Sequence, residues 1–421
     1  MFRRLVVLGV LVACGDGIAI PDAPTPDADE RQLVTVEVRS ARLGSGARVL
    51  FQDRESKLLT ALKTDPAGNG NAYIPDTPSF VTIQLTDEGN TRLLYTIPNV
   101  RPGDHVVFDD GTRVKTTPIT LTVPSDEGGV GLYDLRTACG RSSIEADTPT
   151  SLQLLNCGAS VDMLLFSPEG QYLYRPDVGI FDDRLITLEG TYEQFGVTTV
   201  RVNKPAPASF QARVDQVLLD GNRTLYPLSS GFVFFDGTTP FAETTIGSPL
   251  WPNARVMTRL KDVSTSFATN QVLEWGPRGE PTEIDLDRGL LRTMLTFPRY
   301  HPDTRTVSWL ERDQGELADA TLVQLRWTDE ETFTNVVWRM FVERTNNARV
   351  TLPLLPDPRL QPVNAVVDDV TNFAIDGGYE RLRALPLLGR WNPFDWNDFL
   401  TESSPTGRLV YQSSNTSGPD R

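Results

Sequence analysis

Histidine, cysteine and methionine are scarce in this chain: two, three and five residues among 421. So few imidazoles and thiols argue against a zinc centre. Beyond the first dozen residues, no apolar run approaches the roughly 20 residues of a membrane-spanning helix. Helical periodicity is nearly missing too; only residues 379–385 read as a turn or two, stopped by Pro386. Basic residues are in deficit, 40 Lys+Arg against 55 Asp+Glu, for a formal net charge of −15. That balance argues against nucleic acid and anionic lipid as partners, since both need basic patches. There is no G-x-S-x-G elbow and no H-E-x-x-H pair. Without a catalytic motif, the reading is of a non-enzymatic protein with no cofactor.

What is present begins at the N-terminus. Arg3 and Arg4 precede an apolar run from Leu5 to Val12, followed by Leu11-Val12-Ala13-Cys14-Gly15. A positive flank, a short apolar core and small residues before a cut mark a secretory signal. With a cysteine at the cut, the pattern resembles the lipobox of bacterial lipoproteins. The resemblance implies cleavage before Cys14 and acylation of that residue, so residues 1–13 are signal peptide and the body is held to a membrane by lipid. Two or three acyl chains at about 0.8 kcal/mol per buried methylene anchor stably. Gly15, rather than Asp, after the cysteine implies the outer membrane of a cell envelope, with the face left open. Residues 14–31, rich in Pro, Asp and Ala, read as an extended acidic tether. In the oxidising compartment this implies, Cys139 and Cys157 pair as one disulfide. It either pins sheet to sheet or staples one loop.

The body reads as strands throughout. Val34, Val36 and Val38 alternate with Thr35, Glu37 and Arg39, and Val81, Ile83 and Leu85 with Thr82, Gln84 and Thr86. Val323, Leu325 and Trp327 share one face, as do Val336, Trp338, Met340 and Val342. Period two over five to seven residues is the signature of half-buried strands. Turn residues such as Asp65-Pro66-Ala67-Gly68, Pro102-Gly103-Asp104 and Asp220-Gly221-Asn222 separate them. The fold class expected is all-β: several antiparallel β-sandwich domains in tandem, Ig-like or transthyretin-like, with little helix. The divisions fall at 32–114, 115–203 with the disulfide, 209–280 and 281–386, after a linker at 204–208. A tryptophan-rich tail with a polar end occupies 387–421.

Residues 33–108 resemble the carboxypeptidase regulatory-like domain, a transthyretin-like β-sandwich. The resemblance is carried by Val34-Thr35-Val36-Glu37-Val38, by Ala47-Arg48-Val49-Leu50-Phe51, and by Thr64-Asp65-Pro66-Ala67-Gly68-Asn69-Gly70 before Asn71-Ala72-Tyr73-Ile74-Pro75. The family's glycine after the first strand is absent around Ser40–Leu43. Such domains are spacers or stalk modules, so the resemblance implies display rather than chemistry.

Candidate functional residues are few. His105 and His301 each have an Asp nearby that could orient an imidazole, but each sits in a turn with no nucleophile beside it in sequence. The carboxylate doublets Asp109-Asp110, Asp182-Asp183, Asp285/Asp287 and Asp368-Asp369 have the composition of a glycosidase pair without its context. Calcium is a possible ligand with no site assigned; Glu283–Gly289 has spaced acids but not a full EF-hand pattern. Trp309, Trp327 and Trp338 are expected to build one core. Trp391-Asn392-Pro393-Phe394-Asp395-Trp396 mixes aromatic faces with polar groups. Trp391, Asp395 and Trp396 are therefore candidate ligand-binding residues, set against an aromatic plug over the last sandwich. The expectation is a lipid-anchored envelope protein whose modules bind an unidentified protein or glycan. The alternatives are a carbohydrate-active lipoprotein and a scaffold subunit of an envelope complex.

Overall fold

The structure is a computed structural model. It describes residues 31–414 apart from 41–45, 76–78, 87–90, 110–115, 127–130, 156, 195, 204–209, 221–222, 236–239, 249–254, 263–267, 278–282, 286–290, 314, 330, 345–347, 356, 358–359, 376–377 and 379–406. Cys14, Trp391, Asp395 and Trp396 lie outside the described residues, as do residues 379–385. Among the described residues no helix is long and apolar enough to cross a membrane.

The protein is all-β, and among the described residues its strands fall into four groups of seven. The first is β1 (Arg31–Arg39), β2 (Arg48–Gln52), β3 (Leu58–Lys63), β4 (Asn69–Pro75), β5 (Ser79–Thr86), β6 (Thr91–Val100) and β7 (His105–Asp109). The second is β8 (Thr116–Thr122), β9 (Leu132–Thr137), β10 (Gly140–Glu145), β11 (Thr150–Leu155), β12 (Ser160–Phe166), β13 (Tyr172–Gly179) and β14 (Arg184–Thr187). The third is β15 (Gly196–Asn203), β16 (Phe210–Asp220), β17 (Arg223–Phe235), β18 (Phe241–Ser248), β19 (Arg255–Asp262), β20 (Ala268–Pro277) and β21 (Glu283–Asp285). The fourth is β22 (Arg299–His301), β23 (Thr306–Ser308), β24 (Ala320–Asp329), β25 (Thr334–Glu343), β26 (Arg349–Thr351), β27 (Val366–Ile375) and β28 (Gly407–Ser414).

The first three groups repeat one topology. A three-stranded sheet runs β4-β1-β7, then β11-β8-β14, then β18-β15-β21. Its first and last strands pair in parallel each time, the other pair antiparallel. The facing order β3-β2-β5-β6 recurs as β10-β9-β12-β13 and β17-β16-β19-β20. One local feature recurs with it. Pro98-Asn99-Val100 in β6 and Pro176-Asp177-Val178 in β13 each place the middle residue at positive φ, 57° and 55°. In both, the neighbouring strand shifts register nearby. Asn and Asp tolerate that left-handed backbone better than other side chains. No repeat was expected from the sequence, because this three-residue pattern is its main visible trace.

The fourth group is built differently, with sheets β22-β23-β26 and β28-β27-β24-β25. Its larger sheet lies between two others. β25 pairs in parallel with β6, and β28 pairs antiparallel with β20. One sheet of twelve strands results, β17-β16-β19-β20-β28-β27-β24-β25-β6-β5-β2-β3. On one face the core of the first unit, built on Val34, Val36, Ile83, Tyr95 and Phe108, runs on into Ala320, Leu322, Phe341 and Phe373. On the other face Trp309, Trp327 and Trp338 share one core, as expected.

Pairing places three segments differently from composition alone. β15 lies before the Pro-rich residues 204–208 yet pairs with β18 and β21, so 204–208 joins two strands of one unit. The polar-looking end of the chain supplies β28, hydrogen-bonded on both sides. Thr82, expected to face water, is buried because the fourth unit covers that face. Trp338 Nε1 donates to Thr96 Oγ1 at 2.9 Å, Thr96 and Thr82 hydroxyls meet at 2.8 Å, and Thr82 reaches Gln52 Oε1. Each buried polar atom in this ladder is matched by the next.

The Asp65–Gly68 turn forms as its residue types require. Asp65 Oδ1 accepts the Asn69 N–H at 2.7 Å, and Gly68 takes φ +95°. Those backbone bonds lower the Asp65 pKa below the usual carboxylate value. Cys139 and Cys157 form a disulfide. Cys139 sits in the tight β9–β10 turn and Cys157 just beyond β11, so the bond ties the two sheets of the second unit together. Closing that loop stabilises by about 3 kcal/mol in the chain-entropy model. Cys139→Ser with Cys157→Ser is expected to lower the unfolding free energy of the second unit by about that much. Calorimetry of the variant and of the reduced wild type reads it out; unchanged melting would show that the sheets need no tie.

Candidate functional site: an open groove in the fourth unit

The fourth unit carries a groove of about 640 Å³ lined by Leu295, Thr296, Phe297, Arg299, His301, Ser308, Trp309 and Leu310. Its walls are two chain segments laid antiparallel. Leu295 N–H donates to Leu310 O at 2.8 Å, and Leu310 N–H donates to Thr296 Oγ1 at 3.0 Å. β22 and β23 continue one side, joined by the short 3₁₀ turn Pro302–Thr304. Leu295, Phe297 and Leu310 are 42%, 43% and 62% exposed. Three large apolar side chains at the mouth of one groove form a patch of the kind that marks a contact surface.

The floor is held by a buried ion pair. Arg344 Nη2 meets Glu311 Oε2 at 2.6 Å, with both side chains almost fully buried. The second Glu311 oxygen accepts Trp309 Nε1 at 2.6 Å and Asn372 Nδ2 at 3.3 Å. Arg344 Nη1 donates to Asn372 Oδ1, which also accepts from Thr321. The Arg344 guanidinium lies 4.8 Å from the centre of the Trp309 ring. The network locks the Trp309 rotamer and fastens the groove to β24, to β27 and to the residue just after β25. Burying two charges costs desolvation that only such complete pairing offsets.

The residues singled out in the sequence distribute as follows. His301 lies in the groove, its Nε2 2.9 Å from Ser308 Oγ. A hydroxyl–imidazole pair is the start of a nucleophile–base arrangement. Asp303, in the adjacent 3₁₀ turn, does not bond the ring to complete it. His105 is on β7 with its Nε2 3.6 Å from Glu37 Oε2, and it does not line the groove. Asp182 and Asp183 are exposed on a turn before β14. Asp110 and Asp287 lie outside the described residues.

Asp368 and Asp369 do not converge: Asp368 is the extra residue where β27 shifts register against β24, and the two carboxylates find different partners. Asp368 faces Arg326, Nη2 to Oδ1 2.6 Å, and accepts from Gln324. Asp369, half-buried on β27 beside β28, accepts from the Thr371, Ser413 and Ser414 hydroxyls. Burial pushes its pKa up to about 6, the hydroxyl bonds only partly opposing. Sequence reasoning did not find the groove, because Leu295, Phe297 and Leu310 are ordinary apolar residues until the fold leaves them uncovered.

No protein-family model matches the chain, and no curated protein matches it. Among solved structures it is similar to the TIE protein of Bacillus anthracis, at 10% identity and TM-score 0.15 over 61% of this chain. The chain spans 50% of that protein's length. A candidate adhesin from Bacteroides ovatus aligns at 12% identity and TM-score 0.13, over 67% of this chain and 99% of that one. SGBP-B of a Bacteroides ovatus mixed-linkage glucan utilization locus, solved with a mixed-linkage heptasaccharide, aligns at 10% identity and TM-score 0.11. It covers 96% of this chain and 100% of that one. Scores this low carry no argument about function.

Two predictions follow from the charges. Glu311→Ala strands the Arg344 guanidinium in the interior and is expected to cost about 3–5 kcal/mol by denaturant titration. The double variant Glu311→Met with Arg344→Met is expected to cost far less; equal losses would refute the ion-pair account. Asp369 binds its proton more tightly folded than unfolded. Its carboxyl therefore favours folding at low pH, and that contribution is lost as pH rises from about 4 through about 6. Asp369→Asn is expected to be more stable than wild type by roughly 3 kcal/mol above pH 7. The gap should close by about pH 4; a gap constant with pH would remove the carboxyl from the explanation.

Proposed function

We propose that this chain is a lipid-anchored protein of a bacterial cell envelope that binds a ligand through the groove of its fourth unit, without chemistry of its own. The observation that carries the reading is the combination at that groove. Exposed Leu295, Phe297 and Leu310 surround a floor held rigid by the Arg344–Glu311 pair. A surface whose shape is fixed beforehand loses little entropy on binding. The N-terminal pattern ending in Cys14 supports acylation there, and Gly15 supports the outer membrane. The sheet order shared by the first three units supports their kinship with transthyretin-like stalk modules. In this reading they are the supporting modules, and the centrally placed fourth unit carries the binding groove.

A second reading is favoured by the groove's polar members. Thr296, Arg299, His301 and Ser308 line the groove with the exposed Phe297 ring, a mixture of hydrogen-bonding groups and an aromatic surface that suits a glycan. Trp391, Asp395 and Trp396 are candidate contacts for the same ligand class. Calcium could assist without an assigned site.

The chain from Gly15 onward, applied to a glycan array with and without calcium, separates the readings. Saturable binding lost in Leu310→Glu or Phe297→Ser assigns a glycan to the groove; binding lost only in Trp391→Ala or Trp396→Ala assigns it to the tail. A blank array turns the search to envelope proteins. In the producing cell, Cys14→Ser is expected to abolish incorporation of a labelled fatty acid and release the protein from the membrane fraction. Unchanged labelling would overturn the anchor.

A further inference from the structure

The β22-β23-β26 sheet has one covered face and one open face. Tyr300, Val307 and Val350 sit opposite one another across its three strands and pack into the tryptophan core. The residues beside them in sequence therefore point away from that core. Arg299, Ser308 and Arg349 form one row on the open face, with Ser308 in the middle. His301 stands one step along β22, its Nε2 2.9 Å from Ser308 Oγ. Neighbouring strands lie about 4.8 Å apart, so the two arginine backbones are about 10 Å apart with the serine between them. Both arginines are exposed. The row continues the apolar rim of the groove: Leu295, Phe297, Arg299 and His301 are alternate residues, all exposed and all lining it. The groove thus has an apolar end and a cationic end.

Several arginines of this acidic chain find carboxylates within it. Arg136 and Arg141 meet Asp134, Arg326 meets Asp368, and Arg408 meets Glu274. Arg299 and Arg349 have no carboxylate partner among the described residues. Asp303, the acid nearest to the row in sequence, occupies the 3₁₀ turn beyond it and pairs with neither. Two guanidinium groups on one face repel each other, and an anion between them replaces that repulsion with two attractions. Each guanidinium presents a planar fork of donors that matches a carboxylate. Ser308 adds a hydroxyl at the centre. With hydrogen on Nε2, His301 donates to Ser308 Oγ, and the hydroxyl hydrogen turns toward a group above it. A carboxylate over Ser308 therefore meets donors from both sides and from below.

We infer that the cationic end of the groove recognises the carboxylate of a uronic-acid residue in an acidic glycan. Arg299 and Arg349 clamp the carboxylate over Ser308, and the exposed Phe297 ring offers a flat apolar face to a neighbouring sugar. The inference rests on the glycan reading of the groove and adds the charge of the ligand to it. A lipid acyl chain fits less well, because the apolar end is open and only a few side chains long. The net charge of −15 repels an acidic ligand at long range. That repulsion is screened beyond about 8 Å at physiological salt, so the local row decides at contact. The deficit of basic residues over the whole chain conceals this row, because pairing of β22, β23 and β26 assembles it from separate parts of the sequence.

The test applies the chain from Gly15 onward to an array of uronate oligosaccharides, their methyl esters, sulfated oligosaccharides and neutral glycans, with hits measured by calorimetry. Saturable binding of uronate oligosaccharides, lost on methyl esterification, is the expected result. Arg299→Gln and Arg349→Gln are each expected to weaken it by about tenfold, the scale of one charge-assisted contact. Arg54→Gln, an equal loss of charge on the exposed turn between β2 and β3, is expected to leave it unchanged. Thermal melting checks that each variant is folded. Equal binding of acid and ester, a preference for sulfate, or equal effects of all three substitutions overturns the inference. Binding of neutral glycans that Phe297→Ser abolishes and the groove arginine variants leave intact also overturns it, while keeping the groove as a glycan site. An array blank for every glycan overturns both. A poly-glutamate peptide bound through Arg299 and Arg349 would then assign the row to an acidic protein partner.

Discussion

A sheet edge in water is a row of unpaired N–H and C=O groups, and this structure is organised around removing such edges. Each four-stranded sheet of the first and third units ends on a strand, β6 or β20, that would otherwise be open. The fourth unit supplies β25 to one and β28 to the other. Backbone pairing therefore joins segments more than 200 residues apart in sequence. The second unit meets the same constraint locally: the free side of β13 is met at Tyr172 by a bridge to Glu193 from the connecting segment. Where β6 and β13 run past their pairing partners, Pro98 and Pro176 remove a donor.

The fourth unit pays for its central position with buried polarity. Its sheet is covered on both faces, one by the first unit's core and one by Trp309 and the β22-β23-β26 sheet packed on Trp327 and Trp338. Polar residues that a half-buried sheet would leave in water must be satisfied inside. The Trp338–Thr96–Thr82–Gln52 ladder and the Arg344–Glu311–Asn372 cluster do this completely, whereas Asp369 retains a charge that its hydroxyl partners only partly compensate. The groove exists because the β22–β23 flap and the segment before it cover the tryptophan core only in part, leaving Leu295, Phe297 and Leu310 at the rim.

Much of this was legible beforehand. Alternation along Val34–Val38, Val81–Leu85 and Val336–Met340 gives strands with the correct inner faces, and the three tryptophans meet as their positions suggest. The Cys139–Cys157 bond also forms. Sheet fusion was not legible, because β6 and β25 are joined by backbone hydrogen bonds that leave no side-chain signature. Gly407–Ser414 reads as a polar end, since the partners that bury Gln412 and Ser414 lie on β27 and near Met294. The groove left no motif: apolar residues exposed by incomplete coverage look in sequence like apolar residues awaiting a core.

The parallel pairing of β1 with β7 has a mechanical consequence. Tension entering at the N-terminus pulls along β1, whose register runs Thr35–Arg39 beside His105–Asp109 in the same direction. Such a load shears the ladder, straining its hydrogen bonds together, instead of peeling them apart one at a time. The first of the described strands is thus clamped in the geometry that best resists a steady pull. In the second unit, the covalent tie between Cys139 and Cys157 keeps the chain between them from lengthening under the same force.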